Sequence, residues 1–203
     1  MKIIDLREEV VLNLTYPSRE SVVDIGNYKY PSVRITAKPD QHPDNPKIRT
    51  ENHHIGVHKI SLGNFISIAM GCQFYLSGNH DWQRTTTYLN PFKSSDNDGL
   101  LSNGDISIGS DVWIGDNCKV MSGVNIGTGS VIAAGSIVTR DIPPYSIAGG
   151  IPCKVIKKRF SDDIIERLIT SKWWELPELE LKKYEELLFS RNIQDFLYEI
   201  ERI

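Results

Sequence analysis

Residues 106–142 read ISIGSDVWIGDNCKVMSGVNIGTGSVIAAGSIVTRDI, and this stretch decides the fold. A large aliphatic side chain recurs in it at a strict spacing of six residues, at Ile108, Ile114, Val120, Ile126, Ile132 and Val138. The residue directly after each of them is mostly small, and the residue four places after each is small or β-branched. An upstream block keeps the same spacing at Leu62, Ile68 and Phe74. The chain therefore contains a six-residue repeat in two blocks.

A period of six matches neither the 3.6-residue period of a helix nor the 2-residue period of a long strand. It suits a short strand followed by a turn, with one aliphatic side chain pointing inward on each flat face. Three such faces close a coil of 18 residues, because the repeat is six residues long. Successive coils then stack at the strand spacing of about 4.8 Å. The sequence therefore predicts a parallel β-helix in which residues 18 apart lie above one another.

Two stretches interrupt the repeat and are predicted to be loops extruded from the coils. Residues 37–54 are polar and rich in proline, and residues 79–104 have no sixfold pattern. After Arg159 aliphatic residues recur at helical spacing, and Ser161 is a candidate N-cap. We therefore expect a β-helix domain over residues 1–158 and a helical cap over residues 159–203 that covers the open end of the last coil.

Composition excludes several classes of protein. The 203 residues carry a formal net charge of −3, which does not supply the basic surface of a nucleic-acid-binding protein. Three cysteines in a chain of this size argue against a disulfide framework and for a reducing compartment. Charges interrupt the first residues, so no signal peptide is expected, and no run approaches the roughly 18 apolar residues of a membrane span. We expect a protein without a transmembrane segment that acts in the cytoplasm.

Two stretches carry a resemblance to a known family. Residues 77–92, from SGNH to NPF, are similar to the Asn-His…Thr-x-x-Pro-Phe loop of the xenobiotic acetyltransferases, a branch of the hexapeptide-repeat acyltransferases. Residues 109–160 resemble the signature of that branch nearly residue for residue, and the resemblance runs from about Ile25 to Trp174. That branch includes the chloramphenicol and streptogramin acetyltransferases, together with sugar and polysaccharide O-acetyltransferases.

The resemblance implies a homotrimer that uses acetyl-CoA as its donor. No metal is expected, because the main repeat block contains no histidine. It also implies the handedness of the helix, which the spacing alone leaves open. The expected architecture is all-β: a left-handed parallel β-helix with hexapeptide repeats, extruded loops and a C-terminal α-helical cap.

Acetyl transfer from a thioester to an alcohol requires a base for the hydroxyl proton and donors for the developing oxyanion. His80 is the candidate base, because imidazole exchanges protons near neutral pH and the resemblance places the family's catalytic histidine here. Trp113 neighbours the inward Ile114, so its indole should point outward, where a subunit or a ligand would cover it. The resemblance makes its N–H a candidate oxyanion donor. Packing at a trimer interface is the alternative role.

The 18-residue stacking places Asp116 and Ala134 in one column, whose backbone N–H groups could bind a pantetheine arm. The resemblance puts cofactor contacts at Ala134 and Thr139. The cationic side chains suited to the nucleotide phosphates are Arg140, Lys154 and Lys157. The run 157–159 could equally be a solvated cluster that caps the last coil.

The loop after His80 mixes aromatic and polar residues, which suits an acceptor with hydroxyl groups. The predicted acceptor contacts are Asp81, Trp82 and Tyr88. This loop departs from those of the resistance enzymes, with Asp81-Trp82 directly after His80, so a carbohydrate is favoured over a drug. The sequence thus predicts an acetyl-CoA-dependent O-acetyltransferase acting on a sugar or polysaccharide hydroxyl. Chloramphenicol or streptogramin A is the alternative acceptor.

Two other functions are alternatives. The gamma-type carbonic anhydrases hold zinc with three histidines on a trimeric β-helix. His53, His54 and His58, together with His80, could serve as such ligands, although residues 108–150 contain no histidine. A non-catalytic β-helix that binds sugars or only assembles is the second alternative, and the presence of both His80 and Trp113 argues against it. Cysteines at the small inward position are expected to be core residues rather than nucleophiles; they are Cys72 and Cys118.

Overall fold

The strands of the two repeat blocks are short and occupy the positions that the repeat predicts. The computed structural model describes residues 11–15, 22–25, 34–38, 59–76, 79–88 and 100–202. In chain order its strands are β1 (Val11–Thr15), β2 (Val22–Ile25), β3 (Arg34–Lys38), β4 (Lys59–Leu62), β5 (Ser67–Ile68), β6 (Gln73–Tyr75), β7 (Asn79–His80), β8 (Leu100–Leu101), β9 (Ile106–Ile108), β10 (Trp113–Ile114), β11 (Lys119–Val120), β12 (Asn125–Ile126), β13 (Val131–Ile132), β14 (Ile137–Val138), β15 (Ser146–Gly149) and β16 (Lys154–Lys158).

Three parallel sheets form the faces of the coil. The first sheet has the order β3-β1-β6-β11-β14, the second β2-β4-β9-β12 and the third β5-β10-β13-β15-β16, in which β16 is antiparallel to β15. The chain visits the second, third and first sheets in turn, so three strands complete one coil. Trp113 pairs with Val131 and Val120 pairs with Val138, and each pair is 18 residues apart. The predicted parallel β-helix and its 18-residue coil follow directly from this register.

The repeated aliphatic residues fill the inside of the prism. The inward side chains from Ile108 to Val138 are at most 2% exposed, and Phe74 of the upstream block is fully buried. Burial of each such side chain contributes about 1.5–3 kcal/mol. Gly115 shows why the next position is small: a Cβ there would lie 2.6 Å from the backbone nitrogen of Ala134 in the coil above. The repeat therefore encodes both the core and the close stacking of the coils.

The predicted loops need one correction. Strand β3 runs to Lys38, so pairing with β1 continues two residues into the stretch 37–54 that the sequence assigned to a loop. The physical reason is that parallel pairing satisfies backbone groups regardless of the sixfold pattern. In the stretch 79–104, β7 and β8 form a two-stranded antiparallel ladder apart from the three faces. Residues 39–54 of the first stretch and residues 89–99 of the second lie outside the described residues.

The C-terminal segment is helical. Its helices are α1 (Asp162–Ser171), α2 (Glu178–Leu181), α3 (Glu185–Leu188) and α4 (Ile193–Ile200), with 3₁₀ turns at Trp173–Glu175 and Lys182–Tyr184. Ser161 occupies the predicted N-cap position of α1 in an extended conformation, but its side chain accepts no capping hydrogen bond. Among the described helices none is long and apolar enough to span a membrane.

The sequence predicts that these helices cover the end of the last coil. In the structure they also contact an earlier coil. The Asn64 side-chain amide donates a hydrogen bond to the carbonyl oxygen of Trp174 (2.7 Å), and the rings of Phe65 and Trp173 lie 5.1 Å apart. Asn64 and Phe65 belong to the corner between β4 and β5, in the upstream repeat block. The helical segment therefore packs along one corner of the prism, because the aromatic side chains there need a partner that the coils do not provide.

Candidate active site

His80 lies on the ladder that leaves the prism after β6. Its backbone pairs with Leu100, and its side chain is exposed. The Nδ1 atom lies 2.7 Å from the carbonyl oxygen of Thr87. A carbonyl oxygen accepts hydrogen bonds and cannot donate them, so Nδ1 carries the proton in this contact. The Nε2 atom is then left with a free lone pair, which is the state that a general base requires.

The segment that follows His80 is folded by side chains that bind its own backbone. The Asp81 carboxylate accepts the Gln83 backbone N–H through Oδ1 (3.1 Å) and the Arg84 Nε–H through Oδ2 (3.2 Å). The Thr86 hydroxyl oxygen accepts the Tyr88 N–H (3.1 Å). Sequence reasoning missed the role of Thr87, since any residue type supplies a carbonyl oxygen and no sequence signal marks it.

The two predicted aromatic acceptor contacts are open to solvent. Trp82 is 76% exposed and Tyr88 67% exposed. Large exposed rings on a segment beside the candidate base provide flat apolar surface on which an acceptor can stack. Asp81 differs from them, because both of its carboxylate oxygens are occupied within the loop.

Trp113 points outward, as strand alternation predicts, and is 55% exposed. It pairs with Val131, which pairs with Ile147, and both of these are half-buried outward side chains. We call Trp113, Val131 and Ile147 the apolar stripe of the third sheet. In the described residues no hydrogen bond joins Trp113 to His80, which lies beyond the first sheet. His80 belongs to the separate ladder of β7 and β8, and Trp113 belongs to the third sheet.

Asp116 and Ala134 stack as the spacing predicts. The Gly135 N–H donates a hydrogen bond to the Asp116 carbonyl oxygen (2.7 Å), and this bond joins the turns of two successive coils. The backbone N–H groups of Asp116 and Ala134 themselves make no backbone hydrogen bond within the described ranges, and both residues are exposed. An exposed edge therefore offers unpaired donors to a ligand with amide oxygens.

The three predicted phosphate-binding cations and Thr139 are exposed. Thr139 and Arg140 follow the end of β14, and Lys154 and Lys157 lie on β16, the edge strand of the third sheet. In the part of the chain that the structure describes, Arg140, Lys154 and Lys157 form no ion pair.

The run 157–159 divides into two kinds of residue. Lys158 pairs with Asp162, and Arg159 pairs with Asp111 at 2.9 Å. These two cations hold the helical segment and a corner of the coil. Lys157 is exposed, so the structural alternative for the run applies to Lys158 and Arg159.

The cysteines are buried in the core. The Cys72 thiol lies 3.1 Å from the carbonyl oxygen of Gly115, and the Cys118 thiol lies 3.2 Å from that of Ala133. Cys153 is 6% exposed, and burial raises the pKa of its thiol. Buried thiols of this kind are core residues, as the sequence predicts for Cys72 and Cys118. The structure contains no group of three His, Cys, Asp or Glu side chains arranged for a metal among the described residues, and His53, His54 and His58 lie outside them.

Comparison with known proteins identifies the class that this fold and site define. Residues 105–140 match the family model described as bacterial transferase hexapeptide (six repeats). The chain is 43% identical over 145 residues to a chloramphenicol acetyltransferase of Morganella morganii, covering 68% of this chain and 69% of that protein. It is 44% identical over 126 residues to a probable macrolide acetyltransferase of Lysinibacillus sphaericus, covering 57% and 69%. A galactoside acetyltransferase solved with coenzyme A aligns with a TM-score of 0.49 and 26% identity, covering 76% and 68%.

The chain is therefore an acetyltransferase built on hexapeptide repeats. It belongs to the xenobiotic acetyltransferase family, which includes the chloramphenicol acetyltransferases.

Proposed function

We propose that the protein is an acetyl-CoA-dependent O-acetyltransferase in which His80 removes the proton from the acceptor hydroxyl. The contact between His80 Nδ1 and the Thr87 carbonyl oxygen carries this proposal, because it leaves Nε2 unprotonated and facing away from its anchor. As the hydroxyl oxygen attacks the thioester carbonyl carbon, Nε2 takes its proton. The imidazolium then returns that proton to the thiolate sulfur that leaves, so the ring ends the cycle as it began.

Negative charge develops on the thioester oxygen during the attack and needs a hydrogen-bond donor. We assign this role to the indole N–H of Trp113, whose ring is half exposed on the third sheet. Within the described part of one chain no hydrogen bond joins Trp113 to His80, which lies on the separate ladder of β7 and β8, so we propose that a second copy brings its third sheet against the ladder. This favours the left-handed homotrimer expected from the family, in which the apolar stripe is covered by a neighbour.

The donor is expected to lie along the stacked turns of Asp116 and Ala134. Their unpaired backbone N–H groups suit the amide oxygens of a pantetheine arm. Thr139, which directly follows β14, is a further proposed contact of the donor. Phosphates of the nucleotide end carry several negative charges, which Arg140, Lys154 and Lys157 can neutralise since no carboxylate within the described part pairs with them.

Two acceptor classes are proposed. The names of the relatives favour a drug of the chloramphenicol or macrolide class. The loop with exposed Trp82 and Tyr88 suits the stacking of a sugar ring, which is the acceptor that the sequence favours. The three buried cysteines are free and suit the reducing cytoplasm, which we propose as the compartment.

An acceptor screen tests the proposal. Purified protein is mixed with acetyl-CoA, and release of free thiol is followed with chloramphenicol, streptogramin A, a macrolide, mono- and oligosaccharides and nucleotide sugars. We expect acceptor-dependent release with one class and O-acetylated product by mass spectrometry. Acetyl-CoA that shows no binding by calorimetry would reject the proposed donor, and product acetylated on nitrogen would reject the assignment to hydroxyl groups.

A further inference from the structure

The segment from His80 to Thr87 forms a closed ring of seven residue steps. Its ends meet in the hydrogen bond between the imidazole and the Thr87 carbonyl oxygen. The position of that oxygen depends on the path of the residues between, and the first half of the path is a turn over residues 81–84. The Arg84 N–H approaches the Asp81 carbonyl oxygen at 3.5 Å, a long contact that by itself holds the turn weakly.

The Asp81 side chain stabilises this turn with two hydrogen bonds. Its two carboxylate oxygens bind two different residues of the turn, the Gln83 backbone N–H at 3.1 Å and the Arg84 Nε–H at 3.2 Å. Its side chain is 26% exposed, less than the rings of Trp82 and Tyr88 on the same loop. An aspartate that binds the backbone two residues ahead is the ordinary way in which a turn of this kind is fixed.

We propose that Asp81, with Arg84, is a positioning residue for catalysis, not an acceptor contact. The pair holds the turn that brings the Thr87 carbonyl oxygen to His80, and so keeps the proton on Nδ1 and the lone pair on Nε2. This inference rests on the proposed role of His80 as base. It assigns to Asp81 a function that acts through the imidazole, as the partners of metal-bound or catalytic histidines commonly do.

The consequence of losing the turn is specific. Without Asp81 the Thr87 carbonyl oxygen is no longer held at hydrogen-bond distance, and the His80 ring can place its proton on either nitrogen. A fraction of molecules then lacks the lone pair on Nε2 and cannot accept the hydroxyl proton. Donor binding is unaffected, because the stacked turns of Asp116 and Ala134 belong to the coil. The loss should therefore fall on kcat and not on the KM for acetyl-CoA.

Asp81→Ala tests the proposal in the full-length protein. We expect kcat to fall about tenfold, the lower end for loss of a partner that orients a histidine, with the KM for acetyl-CoA unchanged. The second readout is the tautomer of His80, measured by long-range ¹⁵N–¹H NMR on histidine-labelled protein and assigned by the signals absent from His80→Ala. In wild-type protein the proton should lie on Nδ1, and in Asp81→Ala it should be shared between the nitrogens.

Two variants serve as controls. Asp81→Asn keeps an Oδ1 acceptor for the Gln83 N–H and loses only the charge toward Arg84, so most of kcat and of the Nδ1–H signal should be retained. Gln83→Ala removes an exposed side chain from the same turn but keeps its backbone donor, and should behave like wild type. Unchanged circular dichroism and thermal unfolding in all variants would show that the coils are intact.

Three results would overturn the proposal: an unchanged tautomer in Asp81→Ala, an unchanged kcat, or a rise in the acceptor KM alone. The last result would return Asp81 to the role of an acceptor contact. A different experiment tests whether His80 is the base, so its outcome can be told apart from the three results for Asp81. A fully active His80→Ala would reject His80 as base and with it the catalytic role of Asp81, whereas the tautomer measurement would still show whether Asp81 orients the ring.

Discussion

Arg159 donates a hydrogen bond to the Asp111 carboxylate at 2.9 Å, although 48 residues separate them in the chain. The same guanidinium binds the Gly129 carbonyl oxygen at 2.6 Å and lies over the rings of Tyr145 and Phe160, with its carbon 5.4 and 5.3 Å from the two centroids. Three successive coils are thus tied to the residue that leads into the helical segment. Arg159 fastens the helices to the corner of the prism that they cover.

The pH dependence of stability should report the burial of Asp111. Burial raises the pKa of this carboxyl above its ordinary value of 3.8, and the Arg159 charge only partly opposes the shift. The folded state therefore binds the proton more tightly than the unfolded state. The stabilising contribution of protonated Asp111 is fully present below about pH 3.8, its ordinary value, and is lost as the pH rises through the higher pKa of the folded state.

Urea unfolding of wild-type protein and Asp111→Asn from pH 4 to 7 measures this. The free energy of unfolding of wild type minus that of the variant should fall as the pH rises. The variant cancels the contributions of all other carboxylates. A difference that instead grows with pH would mean that Arg159 lowers the pKa of Asp111 below its ordinary value.

Two glycine variants separate crowding from backbone strain. A Cβ at position 115 would lie 2.6 Å and 2.9 Å from backbone atoms of Ala134, which cannot move without separating the coils. Gly115→Ala should therefore cost about 1–3 kcal/mol, the range for overpacking. Gly135 has open space around it but a φ of +71°, so Gly135→Ala should cost about 1–2 kcal/mol from strain alone.

Thermal and urea unfolding decide between these causes. Replacement by asparagine, which tolerates positive φ, should recover stability at position 135 but not at position 115. Equal behaviour of asparagine at both positions would contradict the assignment of crowding to Gly115.

The sequence predicts the coil better than it predicts the site. Spacing of six determines which side chains point inward, so the burial of Ile114 and the exposure of Trp113 could both be read from it. It could not reveal the Thr87 carbonyl oxygen, because a backbone atom leaves no mark in residue identity. Nor could it place the helices, whose contact with Phe65 depends on how the chain turns after β16. Position along a repeat is encoded locally, whereas the packing of the helices against Asn64 and Phe65 depends on contacts that are distant in sequence.

Oligomeric state should depend on the apolar stripe. Val131 lies between Trp113 and Ile147, outside the proposed catalytic groups. Val131→Asp places a charge at the centre of the stripe and should dissociate the trimer, because a buried unpaired charge is strongly unfavourable. Light scattering should give three times the chain mass of 23.0 kDa for wild type and the chain mass for the variant. Ser107→Asp is the matched control on the second sheet. A wild-type mass of one chain at micromolar concentration would refute the trimer.

Substitution at Ala134 should separate donor from acceptor binding. Ala134→Trp fills the edge beside Asp116 where the pantetheine arm is proposed to lie, and should raise the KM for acetyl-CoA at least about tenfold with little change in the acceptor KM. Ala134→Ser adds one small atom and should leave both nearly unchanged. Steady-state kinetics with each substrate varied in turn measure the effect. If the acceptor KM rises instead, donor and acceptor sides have been exchanged.

Removal of His80 should lower the rate of proton transfer and little else. The side chain is exposed on a short ladder outside the core, so His80→Ala should keep the stability and the mass of the wild-type protein. Its kcat should fall at least about 100-fold, the lower end of the contribution of a positioned general base. The KM for acetyl-CoA should be unchanged, because Nε2 meets the acceptor hydroxyl and not the donor. Added imidazole should restore part of the rate by supplying the missing base from solution. If the variant is folded and trimeric, and chemistry is shown to be rate-limiting, a kcat within about fivefold of wild type would exclude His80 as the base.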